Sequence, residues 1–181
     1  MDAVDLLLAD HRAVEKLFGE FVRADAETRQ EVSEQIVREL SVHAAIEEET
    51  VFYPAVRADV PEGDPLVEHS LDEHQEIKDA LARVDDRMAK SHTKEFADKV
   101  TRLQEVVDHH VQEEESEVFP AVREALTKTR LNELGTAMNR KKESAPTRPH
   151  AHAPNEGIAA EVAGAVAGVV DRVRDGASGR R

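Results

Sequence analysis

The amino-acid sequence predicts an all-α protein, an up-down antiparallel four-helix bundle with a C-terminal helical or partly disordered extension. Three observations point there. Aromatic residues make up 3% of the chain and charged residues 34%, so Leu, Val and Ala carry the apolar content, which suits helices better than sheets. Apolar residues recur at helical spacing in long stretches joined by short connections, which favours antiparallel neighbours. And one segment is written twice: HAAIEEETVFYPAVR at 43–57 returns as HHVQEEESEVFPAVR at 109–123.

The elements follow in order. DLLLADHRAVEKLFGEFV places Val4, Leu7, Leu8, Val14, Phe18 and Val22 at a helical period and forms the first helix. The second runs from about Glu27 to Arg57. Gly63-Asp64-Pro65 reads as a loop ending in an Asp N-cap, with proline at the first helical position. The third helix continues to about Lys90. Ser91 or Thr93 opens the fourth, which reaches about Leu126 through a kink at Pro120. A short fifth helix spans about 128–142, closing a bundle domain over 1–143. A Pro/Ala/His linker follows at 144–156, expected to be flexible. The Ala/Val/Gly-rich stretch 157–181 contains 164-GAVAG-168, a small-xxx-small pattern. It reads either as a docking or self-associating helix or as a disordered tail.

Composition narrows the function. There is no cysteine, which excludes disulfides and thiolate metal sites. A formal net charge of −14 makes nucleic acid an unlikely partner. No leader opens the chain and no apolar run has the length of a membrane span, so the expected location is cytoplasmic.

At 100° per residue, the histidines can be placed on their helices. His11 lies among Val4, Leu7, Leu8, Phe18 and Val22; His74 lies among Val67, Ile77, Leu81 and Met88. His43 shares the side of Ile36, Leu40 and Val51, with Glu47 one turn further on. The fourth helix is ambiguous. Aligning the two Pro-Ala-Val-Arg ends pairs His43 with His109 and Glu47 with Glu113. The apolar stripe of Leu103, Val106, Val107 and Val118 instead centres near His110 and Glu114. Burial is the physical criterion, so His110 and Glu114 are taken as the inward pair. The one-residue slip would then fall in 48-EETVFYP-54, where a π-bulge would absorb it. The likeness of 10-DHRAVEKL-17 to 73-EHQEIKDA-80 extends the repeat to a pseudo-twofold pair of helix pairs.

A core with four imidazoles and two carboxylates needs compensation. An unpaired buried ion costs several kcal/mol, against a net stability of roughly 5–15 kcal/mol for a domain. Lys and Arg are absent from these inward positions, so metal is the simplest compensation. Nitrogen and oxygen donors without sulfur suit iron, zinc, copper or manganese. The order is His-x-x-x-Glu, not the Glu-x-x-His of ferritin-like bundles.

The series His11, 43-HAAIE-47, His74, 110-HVQEE-114 resembles the hemerythrin-like, or HHE cation-binding, family, over about residues 5–125. The resemblance implies a four-helix bundle around two iron ions, an oxo- or hydroxo-bridged non-haem di-iron centre that meets dioxygen, nitric oxide or hydrogen peroxide. It implies His11, His43, His74 and His110 as terminal ligands and Glu47 and Glu114 as bridging carboxylates. One departure stands out. Oxygen-carrying hemerythrins place two histidines at i, i+4 on the third helix, whereas here position 70 is serine. The nearest candidate, His69, points about 140° from His74 on an ideal helix. It is either a ligand brought in by a bulge or a surface residue. His109 reads as a surface or second-layer residue, and His92, His150 and His152 as solvent-exposed. Tyr53, the single tyrosine, is either a core-edge residue with its hydroxyl in water or a phenol beside the metals. The fewer histidines favour a peroxidase-like protein of oxidative or nitrosative stress defence over an oxygen carrier. The alternative is a non-catalytic sensor or store for oxygen, nitric oxide or iron.

Overall fold

The computed structural model describes residues 1–48, 51–86, 88–149 and 166–175. Among these there are helices and no strand. The helices are α1 (Ala3–Arg23), α2 (Ala26–Glu48), α3 (Phe52–Asp59), α4 (Gly63–Asp85), α5 (Lys94–Glu113), α6 (Phe119–Ala125) and α7 (Lys128–Lys142). Residues 166–175 form α8. The long helices α1, α2, α4 and α5 make the bundle, with α1 packed on α2, α4 on α5 and α2 on α4. Helix α7 lies against α1 and α2.

Local chemistry sets the ends. Asp2 caps α1 by accepting from the Asp5 N–H, and Thr93 caps α5 by accepting from the Phe96 N–H. Helix α4 begins differently from the expected Asp64 cap. Its N-cap is Glu62, held in the left-handed region at φ 54° with no side-chain cap bond, and Gly63 is already helical. Gly63 is required there, because a Cβ would lie 2.2 Å from the Val56 carbonyl oxygen. The third long helix also stops early, at Asp85, and a short 3-10 turn covers Met88–Lys90.

The two repeats depart from regular helix in different ways. The expected second helix is divided: α2 stops at Glu48 and α3 starts at Phe52, with 49–50 outside the described residues. The π-turn sits in the other repeat, at Glu114–Val118, where the Phe119 N–H reaches back to the Glu114 carbonyl. Pro120, which has no N–H to give, follows immediately.

Apolar side chains gather in two clusters. One holds Leu7, Ile46, Phe52, Tyr53, Val67, Phe119, Val122 and Met138. The other holds Val14, Phe18, Ile36, Leu40, Ile77, Leu81, Phe96, Leu103 and Val107. Along every long helix the inward histidine falls between members of the two clusters. The antiparallel arrangement therefore stacks all four at one level, a polar layer between two apolar cores.

The C-terminal part of the chain is packed where it is described. Arg148 is 7% exposed and pairs with Asp85 of α4 and Asp175 of α8. The Thr147 and Arg148 N–H groups both donate to Asp171. The stretch 144–149, expected to be flexible, is thus tied down by ion pairs. Part of 164-GAVAG-168, with His150 and His152, lies outside the described residues.

Candidate metal centre

His11, His43, His74, His110, Glu47 and Glu114 are all buried, none more than 6% exposed. They converge in two linked groups. Glu47 Oε2 lies 3.1 Å from His43 Nε2, one turn back on α2, and 3.3 Å from His74 Nε2 on α4. Glu114 Oε2 lies 3.7 Å from His110 Nε2 and 3.3 Å from His11 Nε2 on α1. Each carboxylate thus stands between a histidine of its own half and the lone histidine of the other half. One ligand atom from each of His43, Glu47, His110 and Glu114 falls within 4.8 Å of the others.

Three further carboxylates bond the outer nitrogens and a fourth stands near the last. His11 Nδ1 lies 2.9 Å from Glu115, His74 Nδ1 2.7 Å from Glu48 and His110 Nδ1 2.9 Å from Glu73. His43 Nδ1 is 3.6 Å from Asp10. The pattern repeats between halves: Asp10 and Glu73 precede the lone histidines, and Glu48 and Glu115 follow the inward glutamates. The sequence reading missed these four. Their signal is the doublets 10-DH-11, 73-EH-74, 47-EE-48 and 114-EE-115. Cations back three of them in turn: Lys142 on Asp10, Lys78 on Glu48 and Arg12 on Glu115.

This arrangement dictates which nitrogens face inward bare. Carboxylates only accept, so Nδ1 of His74 and of His110 must carry the proton. The neutral tautomers then turn two unprotonated Nε2 atoms toward each other across 3.0 Å. Two lone pairs at that distance repel, and either a proton on one nitrogen or a metal ion beside them relieves the contact. His11 Nε2, His43 Nε2, both Glu47 oxygens and Glu114 Oε2 are likewise buried with no hydrogen-bond partner. A cluster of inward, unprotonated nitrogens and bare carboxylate oxygens is a donor set for metal, and the residues fit one.

Without metal, protons on the imidazoles compensate the buried carboxylates, and the ionisation pattern shows it. Burial opposes charge on His74, but the facing Glu47 and Glu48 carboxylates outweigh it and lift its pKa to about 9. Burial likewise disfavours charged His43, and the Glu47 charge with the Asp10 carboxylate overcomes it, raising the pKa well above its ordinary value. Glu47 is held well below the carboxylate range, its burial outweighed by His43.

Tyr53 is fully buried, which overturns the reading with its hydroxyl in water. The phenol lies 3.2 Å from His74 Nε2 and donates to Glu114 Oε1 at 3.4 Å. Burial and the charges of Glu114 and Glu47 push its pKa well above the usual value, so it keeps its proton. Tyr53 has no counterpart in the second repeat, where Phe119 runs directly into Pro120 as Phe52 runs into Tyr53. The two phenylalanines meet edge to face at 6.1 Å. Ser70 is buried with its hydroxyl on the Leu66 carbonyl.

The outward residues are equally plain. His69 has a 60% exposed side chain and sits on Glu113, in a surface group apart from the buried layer. A bulge that would turn it inward is absent from α4, an unbroken α-helix. His109 is 63% exposed at the side chain, so the inward pair on α5 is His110 and Glu114. His92 is exposed.

A cavity of about 20 Å³ adjoins the layer, lined by His11, His43, His74 and His110 on one side and Val14, Leu40, Ile77, Val107 and Val111 on the other. That is room for one water-sized molecule. A surface groove between α1 and α5 shares His11, Val14, Val107 and Val111 with it.

Comparison with known proteins agrees with this geometry. Residues 2–122 match the family model of the hemerythrin HHE cation-binding domain. The chain belongs to that family. A hemerythrin HHE domain protein from Mycobacterium kansasii has a crystal structure that superposes with a TM-score of 0.68 at 25% identity, covering 79% of this chain and 86% of that one. An uncharacterized hemerythrin-like protein of Schizosaccharomyces pombe is 29% identical over 94% of this chain and 84% of its own length. A Nostoc protein named a DNA nickase is 33% identical over 87% of this chain, which spans 44% of that relative's length. Among the described residues, no hemerythrin-domain helix here is long and apolar enough to cross a membrane.

Proposed function

We propose that this protein holds two iron ions in the buried layer and reduces small oxidants there, hydrogen peroxide foremost, with nitric oxide and dioxygen as related ligands. The observation that carries the reading is the meeting of unpartnered nitrogens and carboxylate oxygens with a protonated phenol and a one-molecule cavity. His11, His43, His74 and His110 would hold the metals through Nε2, with Glu47 and Glu114 between the two halves. A bound iron pair would supply one electron from each ion, the two that peroxide needs with two protons to become two waters, and an external reductant restores them.

The chain's own residues do the rest. Apolar side chains keep bulk water from the layer and admit a small neutral molecule. Tyr53, protonated and aimed at the layer, offers a hydrogen bond to an oxidant there and a proton as charge develops. Glu115, Glu48 and Glu73 hold the imidazoles of His11, His74 and His110 in one tautomer and orientation. The nickase name belongs to a relative more than twice as long, and a net charge of −14 disfavours a phosphate partner.

Peroxide consumption by the iron-loaded protein with a one-electron donor, compared between wild type and Tyr53→Phe, tests the reading. Turnover that falls in Tyr53→Phe at equal iron content supports it. Reversible oxygen or nitric oxide binding without turnover would make the protein a sensor or store.

A further inference from the structure

We propose that His69, Glu73, His109 and Glu113 form a second, surface metal site that takes one divalent transition-metal ion such as zinc or ferrous iron. It shares no inward residue with the buried layer, and its test does not depend on what that layer binds.

The four residues are two His-x-x-x-Glu pairs, His69 with Glu73 on α4 and His109 with Glu113 on α5. Each pair occupies one helix face at i, i+4, and the two helices pack together. The His-x-x-x-Glu motif, which the buried layer takes from α2 and α5, thus recurs on the outer side of α4 and α5. The side chains meet: His69 Nε2 lies 2.5 Å from Glu113 Oε2, and His109 Nε2 lies 3.5 Å from Glu113 Oε1 and 3.6 Å from Glu73 Oε1. Ligand atoms of His69, Glu73 and Glu113 fall within 4.8 Å of one another.

One atom distinguishes this group from an ordinary surface ion pair. Glu73 Oε1 is buried and has no hydrogen-bond partner, and His109 Nε2 is too distant to be one. A single exposed His–Glu pair contributes little and has no use for a second histidine and a half-buried second carboxylate. Two imidazoles and two carboxylates are a neutralising N2O2 set for a divalent ion, of a kind that zinc and ferrous iron accept. Both imidazoles are largely exposed, so they can close around an ion without disturbing the core. The other oxygen of Glu73 accepts from Nδ1 of His110. One carboxylate therefore links the surface site to the buried layer.

The experiment is zinc binding to the full-length protein by equilibrium dialysis and metal analysis, comparing wild type, the single variants His69→Ala and His109→Ala, and the double variant. Both substitutions remove exposed side chains, so folding is not at stake. Wild type is expected to hold one more zinc per chain than the double variant, and each single variant to bind that ion at least about tenfold more weakly. Equal zinc content in wild type and double variant overturns the proposal. Because the readout is a difference, it holds even if the buried layer takes no iron.

Discussion

His11, His74 and His110 each have two faces with different partners, Nδ1 on a carboxylate and Nε2 toward the centre. Replacing Glu48 or Glu115 by glutamine keeps the shape but removes the charge that fixes the tautomer of His74 or His11. Metal retention in competition with a chelator should weaken about 10–100-fold; unchanged retention would show that these carboxylates serve only the apo protein. The metal-free protein should carry a pH signature. His74 titrates at about 9 in the fold and at 6.5 unfolded, so its stabilisation is complete below pH 6.5 and is lost as pH rises toward 9. Glu47, lowered from 4.5, has the opposite sign: its contribution is present above that value and lost in acid. Urea denaturation of metal-free protein should show stability falling from pH 6.5 to 9, and a flat profile there contradicts this account. Bound metal replaces those protons, so the loaded protein should lose the decline.

At the scale of the element, the α3–α4 connection rests on one close approach. Gly63→Ala would drive a methyl into the Val56 carbonyl and should cost about 1–3 kcal/mol in urea denaturation; a stability within error of wild type would mean that the turn gives way. The helices, most of their apolar faces and the inward direction of His11, His43, His74 and His110 were legible from periodicity, since burial imposes it; at the end of α1, Phe21 is buried and Val22, expected inward, is exposed. The breaks were not. Comparing repeats shows that one carries an extra residue, Tyr53, but not which helix adapts. The chain divides the first repeat between Glu48 and Phe52 and puts the π-turn in the second. Tyr53 could not be placed for the same reason, because a wheel fails across an irregular segment. The outer carboxylates went unread because Asp and Glu beside histidine look like a solvated helix face until the neighbouring helix is in place.

At the scale of the molecule, two apolar cores enclose one polar layer, and the small cavity beside it shares part of its wall with the α1–α5 groove. Val111 borders both spaces. Val111→Phe should slow the reaction of the loaded protein with peroxide while leaving metal content unchanged, as stopped-flow absorbance would read; unaltered rates would place the entry route elsewhere. The central claim is that the layer exists to hold metal, and metal analysis of the purified chain tests it most directly. After removal of loosely held ions with a mild chelator, wild type and His69→Ala should each retain two irons per chain, and His43→Ala or His110→Ala should retain fewer. A protein reconstituted with ferrous iron that keeps none, or a His43→Ala variant that keeps the full complement, would contradict it.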